Sequence, residues 1–283
     1  MRKIERCNDL ITWVSDCKHA GKTIGFVPTM GALHDGHLAL VIQSLNENDY
    51  TVCSIFVNPT QFNDPKDLEA YPRTLENDSL LLENAGIQVL FYPDTNEMYP
   101  EGLQTPVTYD LDGLDNVMEG EHRPGHFQGV VSIVRRLLEL VNPDRLYMGQ
   151  KDFQQFTIIG HMIKKWKFPV DLIVCPTIRE SNGLAMSSRN QRLDNEMKQK
   201  AGLIYEVLLE VKERFLHQES SSELETFACS IFAKEGFKVE YFSIVDGYSL
   251  KHVDNIFQTN YAVACTALWV GGVRLIDNLI ICE

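Results

Sequence analysis

The chain has 283 residues, 44% of them hydrophobic and 23% charged, enough to bury roughly 75% of its unfolded surface in one large domain or two modest ones without disulfides. A formal net charge of −13 argues against nucleic acid as a partner, because a phosphate backbone is met by clustered Lys and Arg; a nucleotide needs only a few local donors. No apolar run is long enough to span a bilayer, and the charged start Met1-Arg2-Lys3-Ile4-Glu5-Arg6 lacks an apolar export stretch, so a cytoplasmic protein without membrane contact is expected.

Asn8 to Ala20 reads as a helix, with Leu10, Ile11, Trp13 and Val14 as its apolar positions and Gly21 as its stop. Thr23 to Val27 reads as a buried strand, and a Pro-Thr-Met-Gly turn leads to a helix from Gly36 to Asn46. A strand at Tyr50 to Val57, a helix at Thr74 to Ala85 closed by Gly86, and a third strand at Gln88 to Tyr92 follow. His126 to Val141 has apolar residues at helical spacing. Arg145 to Met148 is a short strand, Lys151 to Trp166 a helix and Val170 to Val174 a strand. This alternation indicates βαβ units and a parallel sheet. Residues 1–176 are therefore expected to form a doubly wound, Rossmann-like α/β domain.

After Cys175-Pro176 the texture changes. A polar segment from Arg179 to Arg192 precedes one helix from Asp194 to His217 and another from Ser220 to Ala233. Three strand-like runs follow: Val239 to Val245, Tyr261 to Val270 and Val273 to Ile281. Gly271-Gly272 between the last two is a hairpin signal. Residues 177–283 are expected to form a smaller α+β domain on an antiparallel sheet. The seven cysteines form no C-x-x-C pair and several sit in apolar runs, so free, buried thiols are expected.

The most informative stretch is Pro28-Thr29-Met30-Gly31-Ala32-Leu33-His34-Asp35-Gly36-His37, between the first strand and the next helix. Ligands of open α/β sheets bind at the carboxyl ends of strands, where a helix N-terminus offers N–H groups to phosphate. His34 and His37 can face the same side there, and Gly36 admits close approach to the backbone. Two surface histidines at a helix start are the plain alternative; a metal pair is disfavoured, since no third ligand is evident. The H-x-G-H pattern resembles the signature of class I nucleotidyltransferases and aminoacyl-tRNA synthetases. Downstream, Met186-Ser187-Ser188-Arg189 resembles the K-M-S-K-S-type loop of that superfamily. Hydroxyls and a fixed cation suit a pyrophosphate leaving group that gains charge during reaction.

Further stretches narrow the reading: Phe56-Val57-Asn58-Pro59-Thr60-Gln61-Phe62 and Met148-Gly149-Gln150-Lys151-Asp152-Phe153-Gln154-Gln155. With Tyr71-Pro72-Arg73-Thr74, Arg123-Pro124-Gly125-His126-Phe127 and Arg274-Leu275-Ile276-Asp277-Asn278, they make the chain resemble the pantothenate synthetase family along almost its whole length. The resemblance implies a ligase that joins pantoate to β-alanine through a bound pantoyl-adenylate, using ATP and releasing AMP and pyrophosphate. It implies that Met30, Gly31, Ala32, Leu33, His34, Asp35, Gly36 and His37 hold ATP, with His37 catalytic and His34 its phosphate-binding companion. Gly149, Gln150, Lys151 and Asp152 would also bind ATP, Lys151 acting on a phosphate and in catalysis and Asp152 on the ribose side. Ile178 would meet adenine through its backbone, and Met186, Ser187, Ser188 and Arg189 would close over the phosphates. Gln61 and Gln155 would bind pantoate, with Gln61 also near β-alanine. Magnesium would enter with ATP, without a metal site of the protein's own, and a homodimer is typical of the family. Two positions depart from the pattern: Gln150 stands where Glu is common, and Glu76-Asn77-Asp78 where an acidic run is common. Arg123 and His126 are left outside the expected site. The rival enzyme reading is an adenylyltransferase that makes a dinucleotide from ATP and a mononucleotide; it would need a second phosphate site in place of the two glutamines.

Overall fold

Ile24 to Thr29 is buried at five of its six positions, as suits a strand in the middle of a sheet covered on both faces. The chain is described from a computed structural model, over residues 1–103 and 108–283. In chain order, β1 (Arg2–Ile4), α1 (Cys7–His19), β2 (Ile24–Thr29), α2 (Asp35–Glu47) and β3 (Tyr50–Ile55) come first. Then follow α3 (Pro65–Ala70), α4 (Leu75–Ala85), β4 (Val89–Phe91), α5 (Thr95–Met98) and α6 (Glu119–His122). Next are α7 (His126–Val141), β5 (Arg145–Gly149), α8 (Phe153–Trp166) and β6 (Asp171–Cys175). The last elements are α9 (Asn195–Lys200), α10 (Leu203–Leu216), α11 (Ser221–Lys234), β7 (Lys238–Asp246), β8 (Ala262–Val270) and β9 (Val273–Cys282).

Two compact units result. The first is Met1–Asp115 with Arg123–Gly149 and Ile158–Cys175; the second is Asn116–His122 with Gln150–Thr157 and Pro176–Glu283. The first contains a six-stranded sheet in the order β1-β4-β3-β2-β5-β6, with every pair parallel. From β2 the chain runs outward through β3 and β4, then returns to lay β5 on the other side of β2. That reversal puts a topological switch point between β2 and β5, where the ends of neighbouring strands open a crevice. The doubly wound α/β class expected from the alternation is the observed one. The strand β1 was not expected. Only Ile4 of its three residues is buried, and its pairing with β4, Arg2 opposite Val89, comes from a distant part of the chain.

The second unit is built on the antiparallel sheet β7-β8-β9. Val270 pairs with Val273 across Gly271 and Gly272, whose φ of +54° and +76° match the left-handed turn that joins twisted hairpin strands. Leu208, Phe215, Phe232, Ile244 and Leu268 are among the buried residues of its core. Alternation along β9 gives its two faces different jobs. Val273 and Leu275 belong to this core. Arg274 and Asn278, on the other face, bind the short segments drawn from earlier in the chain.

Two expected helices are corrected. The run from Asp194 to His217 breaks into α9 and α10 at Ala201-Gly202. Asn182 Nδ2 donates to the carbonyls of Lys198 and Gln199 at 2.8 and 3.2 Å, and a Cβ on Gly202 would lie 2.4 Å from the Asn182 carbonyl oxygen. The helix expected from Lys151 begins at Phe153, after a 3-10 turn at Gln150–Asp152. The carbonyls of Gln150 and Lys151, which would open the helical ladder, are bound by Asn278 instead. All seven cysteines are unpaired; Cys229 and Cys282 are half-buried and the rest buried.

Arg274 holds an enclosed charge cluster in the second unit. Its Nη1 and Nη2 donate to both oxygens of buried Glu119 at 2.8 Å, and its Nε donates to Glu240 at 2.8 Å. Tyr241 hydroxyl and Trp269 Nε1 add bonds to Glu119 and Glu240. Truncating one partner of such a group strands the other charge out of water, at about 3–5 kcal/mol. Arg274→Ala should therefore lower the unfolding free energy measured in urea by about 3–5 kcal/mol; an unchanged midpoint would contradict the assignment.

Candidate active site

The turn after β2 is shaped by a backbone that leaves the sheet through two left-handed residues. Gly31 has φ +83° and Ala32 φ +50°; the second is unfavourable for a residue with a Cβ. This conformation aims two successive N–H groups at one buried carboxylate. Ala32 N and Leu33 N donate to Asp78 Oδ2 and Oδ1, each at 2.9 Å, and Thr74 Oγ1 donates to the same carboxylate at 3.1 Å. Thr29 hydroxyl donates to the Ser54 carbonyl at 2.7 Å and accepts from Gly31 N at 3.2 Å.

The turn delivers His34 to the N-cap of α2, where a capping box forms. Gly36 N donates to His34 Nδ1 at 3.2 Å, and His34 N donates to His37 Nδ1 at 3.3 Å. An N–H can donate only to a ring nitrogen with a lone pair, so both imidazoles have their proton on Nε2. The ring centroids lie 4.0 Å apart. The result is a helix N-terminus, with its partial positive charge, flanked by two paired N–H donors. Gly149, at the end of β5 on the other side of the switch point, has open space where a Cβ would sit.

Gln61 lies in a 3-10 turn after β3 and is buried. Its Oε1 accepts from Asn58 Nδ2 at 3.2 Å, and its Nε2 lies 3.0 Å from Met30 Sδ. Asn58 is itself fixed: its Nδ2 also donates to the Gly129 carbonyl at 3.1 Å, and its Oδ1 accepts from the Tyr99 hydroxyl at 2.7 Å. These bonds settle which end of the Gln61 amide faces which way, with Nε2 toward Met30. His126 Nδ1 donates to the Gln61 carbonyl at 2.8 Å. A Cβ on Gly129 would fall 2.3 Å from the Thr60 carbonyl oxygen, so only glycine lets α7 approach this turn.

The other expected residues lie in the second unit. Gln150, Lys151 and Asp152 form the 3-10 turn, with Lys151 Nζ 3.7 Å from Asp152 Oδ1. Gln155, half-buried, lies in the first turn of α8. Its neighbour Gln154 brackets α6, accepting from Glu119 N at 3.0 Å and donating to the Val117 carbonyl at 2.8 Å. Ile178 is exposed and opens a tight hairpin closed by Met186 N to the Ile178 carbonyl at 3.0 Å. Ser187 caps a 3-10 helix over Ser188–Arg192, accepting from Arg189 N at 3.3 Å. Ser188 is buried and Arg189 half-buried.

Several groups that shape these positions were not foreseen. Asp78 entered the sequence reading only as part of Glu76-Asn77-Asp78, yet it shares the inner face of α4 with Ser79 and Leu82. An acidic residue in an apolar stripe was the available signal. His126, left outside the expected site, is buried. Asn58 gave no local signal. Asp277, also buried, takes two bonds from Arg179 at 2.6 and 3.0 Å; burial pushes its carboxyl above the ordinary range and the guanidinium opposes that rise. Among the described residues no group of three or more His, Cys, Asp or Glu side chains could hold a metal ion.

Asp78 gives a direct test of the turn. Asparagine has one acceptor and presents an NH2 to the second backbone N–H, so Asp78→Asn should cost about 1.5–3 kcal/mol of stability, the range for bonds to a charged acceptor. It should also weaken ATP binding measured by calorimetry. A variant with wild-type stability and ATP affinity would contradict the role of this carboxylate.

Known proteins share this architecture. The sequence profile of the family described as Pantoate-beta-alanine ligase matches residues 2–280. The pantothenate synthetase of Bacteroides fragilis is 48% identical over 279 residues, covering 99% of this chain and 98% of that protein. The crystal structure of pantothenate synthetase from Thermus thermophilus is 40% identical, with a TM-score of 0.92 and all of both chains covered. The pantoate-β-alanine ligase of Francisella tularensis, solved in complex with "Beta-gamma ATP" and β-alanine, is 34% identical with a TM-score of 0.81, covering 99% of this chain and 98% of that one. The chain belongs to the pantoate–β-alanine ligase family.

Proposed function

We propose that the chain joins pantoate to β-alanine with ATP as the activating substrate, through a pantoyl-adenylate. The observation that carries this reading is the family match over residues 2–280, in a chain whose H-x-G-H turn caps the helix after a strand at the switch point. The relatives lend no support to transfer of an adenylyl group to a mononucleotide. A carboxylate does not acylate an amine at neutral pH, because its oxygen is a poor leaving group. Attack of the pantoate carboxylate on the ATP α-phosphate expels pyrophosphate and makes AMP the leaving group. The β-alanine amine then attacks the acyl carbon, and AMP departs as the amide forms.

In this proposal the catalytic work is positioning and charge stabilisation. His37 and His34 present Nε2–H donors to phosphoryl oxygens, and the backbone from Met30 to Gly36 lines the phosphates. Lys151 adds a cation, with Gly149, Gln150 and Asp152 along the nucleotide. Ile178 faces adenine, and Met186, Ser187, Ser188 and Arg189 meet the departing pyrophosphate. Gln61 and Gln155 bind pantoate through amides that both donate and accept, and Gln61 also adjoins β-alanine. Residues 1–176 would act as the catalytic ATP and pantoate domain, and residues 177–283 as the smaller domain with the phosphate loop. Magnesium, held by ATP oxygens in place of a protein cage, would neutralise phosphate charge. A cytoplasmic homodimer is part of the same proposal.

The proposal predicts that purified protein supplied with ATP, magnesium, pantoate and β-alanine forms AMP, pyrophosphate and pantothenate in equal amounts. His37→Ala in the same assay should lose about 10²–10³ in turnover, the loss expected for one charge-stabilising donor. ADP in place of AMP would overturn attack at the α-phosphate, and near-full turnover of the variant would remove His37 from the mechanism.

A further inference from the structure

We propose that Asp277 and Asn278, adjacent on β9, form a single anchor that positions the Lys151 turn and the Ile178–Met186 hairpin as a coupled pair. The proposal rests on the reading of these two segments as nucleotide-binding. Successive strand residues point to opposite faces, so one dipeptide can hold a different segment on each side. Asn278 is 2% exposed and Asp277 4%.

On one face, Asn278 Nδ2 donates to the carbonyls of Gln150 at 3.0 Å and Lys151 at 2.8 Å. Two carbonyl partners fix the orientation of the amide, since only its NH2 can serve both. These bonds hold the backbone of Lys151 in the 3-10 turn. Losing them would favour winding of the turn into the start of α8, which would rotate the Lys151 side chain about the helix axis. On the other face, Asp277 takes the Arg179 guanidinium through two N–H groups at 2.6 and 3.0 Å. Arg179 Nη1 also donates to the Gly183 carbonyl at 3.0 Å, and the guanidinium lies 3.8 Å from the centre of the Tyr205 ring. The hairpin that starts at Ile178 is thus held from inside its own loop. The two halves are joined: Asn278 N donates to Asp277 Oδ1 at 2.8 Å, and the Asn278 carbonyl accepts from Arg179 Nη2 at 3.4 Å. Neither residue needs to touch a substrate; both act as positioning residues through Lys151 and Arg179.

The test is a double-mutant cycle of Asn278→Ala with Lys151→Ala, read as ATP affinity by calorimetry on the full chain, with the melting temperature of each variant recorded. If Asn278 acts through Lys151, Asn278→Ala should weaken ATP binding about tenfold in the wild-type background and less than about twofold once Lys151 is gone, since coupled sites are non-additive. Asn278→Leu, of similar size but unable to donate, should match Asn278→Ala. Should Asn278→Ala fail to fold, Asn278→Ser, which keeps one donor, takes its place in the same cycle. Arg179→Lys, which keeps the charge but loses the two-pronged contact, should weaken ATP binding and be non-additive with Asn278→Ala. Equal effects of Asn278→Ala with and without Lys151, or a loss of melting temperature with unchanged ATP affinity, would overturn the anchor. Wild-type protein that binds ATP but forms no AMP with pantoate would instead overturn the proposed reaction, leaving the cycle itself readable.

Discussion

A single buried carboxylate, Asp78, sets the geometry on which the turn after β2 and the start of α2 depend. The chain leaves β2 through Gly31 and Ala32, both left-handed, and the N–H groups of Ala32 and Leu33 turn inward with no strand partner. A buried, unbonded N–H costs on the order of 1–3 kcal/mol. Asp78 supplies an oxygen to each, which makes the strained turn tolerable and fixes where α2 begins. His34 can then cap that helix, and the capping box with His37 sets both rings and their tautomers. Backbone conformation, helix start and the Nε2–H donors are consequences of the same two hydrogen bonds.

The second unit uses the same principle from the other direction. Its core needs only β9's apolar positions, Val273 and Leu275 among them. The polar residues of β9 serve the segments that come to it from earlier in the chain. Arg274 binds Glu119 in α6, and Asn278 binds the Lys151 turn. Replacing a buried ion pair by apolar side chains of similar volume is often neutral or stabilising, so the Arg274–Glu119–Glu240 cluster is poorly explained as a source of stability alone. Its bonds specify which backbone lies where, and Gln154 passes that constraint from α6 to the start of α8.

What could be read from the sequence follows the range of the interactions. The βαβ alternation, the hairpin at Gly271-Gly272 and the H-x-G-H cap were legible because their determinants lie within a few residues. Gln61 and Gln155 were singled out only by resemblance to a family; nothing in their local sequence distinguishes them from solvated amides. Asp78 and Asn58 were missed because their partners are remote: Leu33 is 45 positions from Asp78, and Gly129 is 71 from Asn58. The break between α9 and α10 had a local signal in Gly202, a poor helix former, but the group that fixes it, Asn182, belongs to an earlier loop.

In the proposed reaction, activation of the carboxylate precedes and is separable from attack by the amine. In this account the donors at His34, His37, Lys151, Ser187, Ser188 and Arg189 serve adenylation alone, while Gln61 and Gln155 serve both half-reactions. The adenylate is labile in water, so it should be retained until the amine arrives. The most direct measurement is incorporation of labelled pyrophosphate into ATP by the purified protein without β-alanine. Exchange that requires pantoate and proceeds without the amine is expected. Exchange only when β-alanine is present would contradict it and indicate a concerted reaction of three substrates.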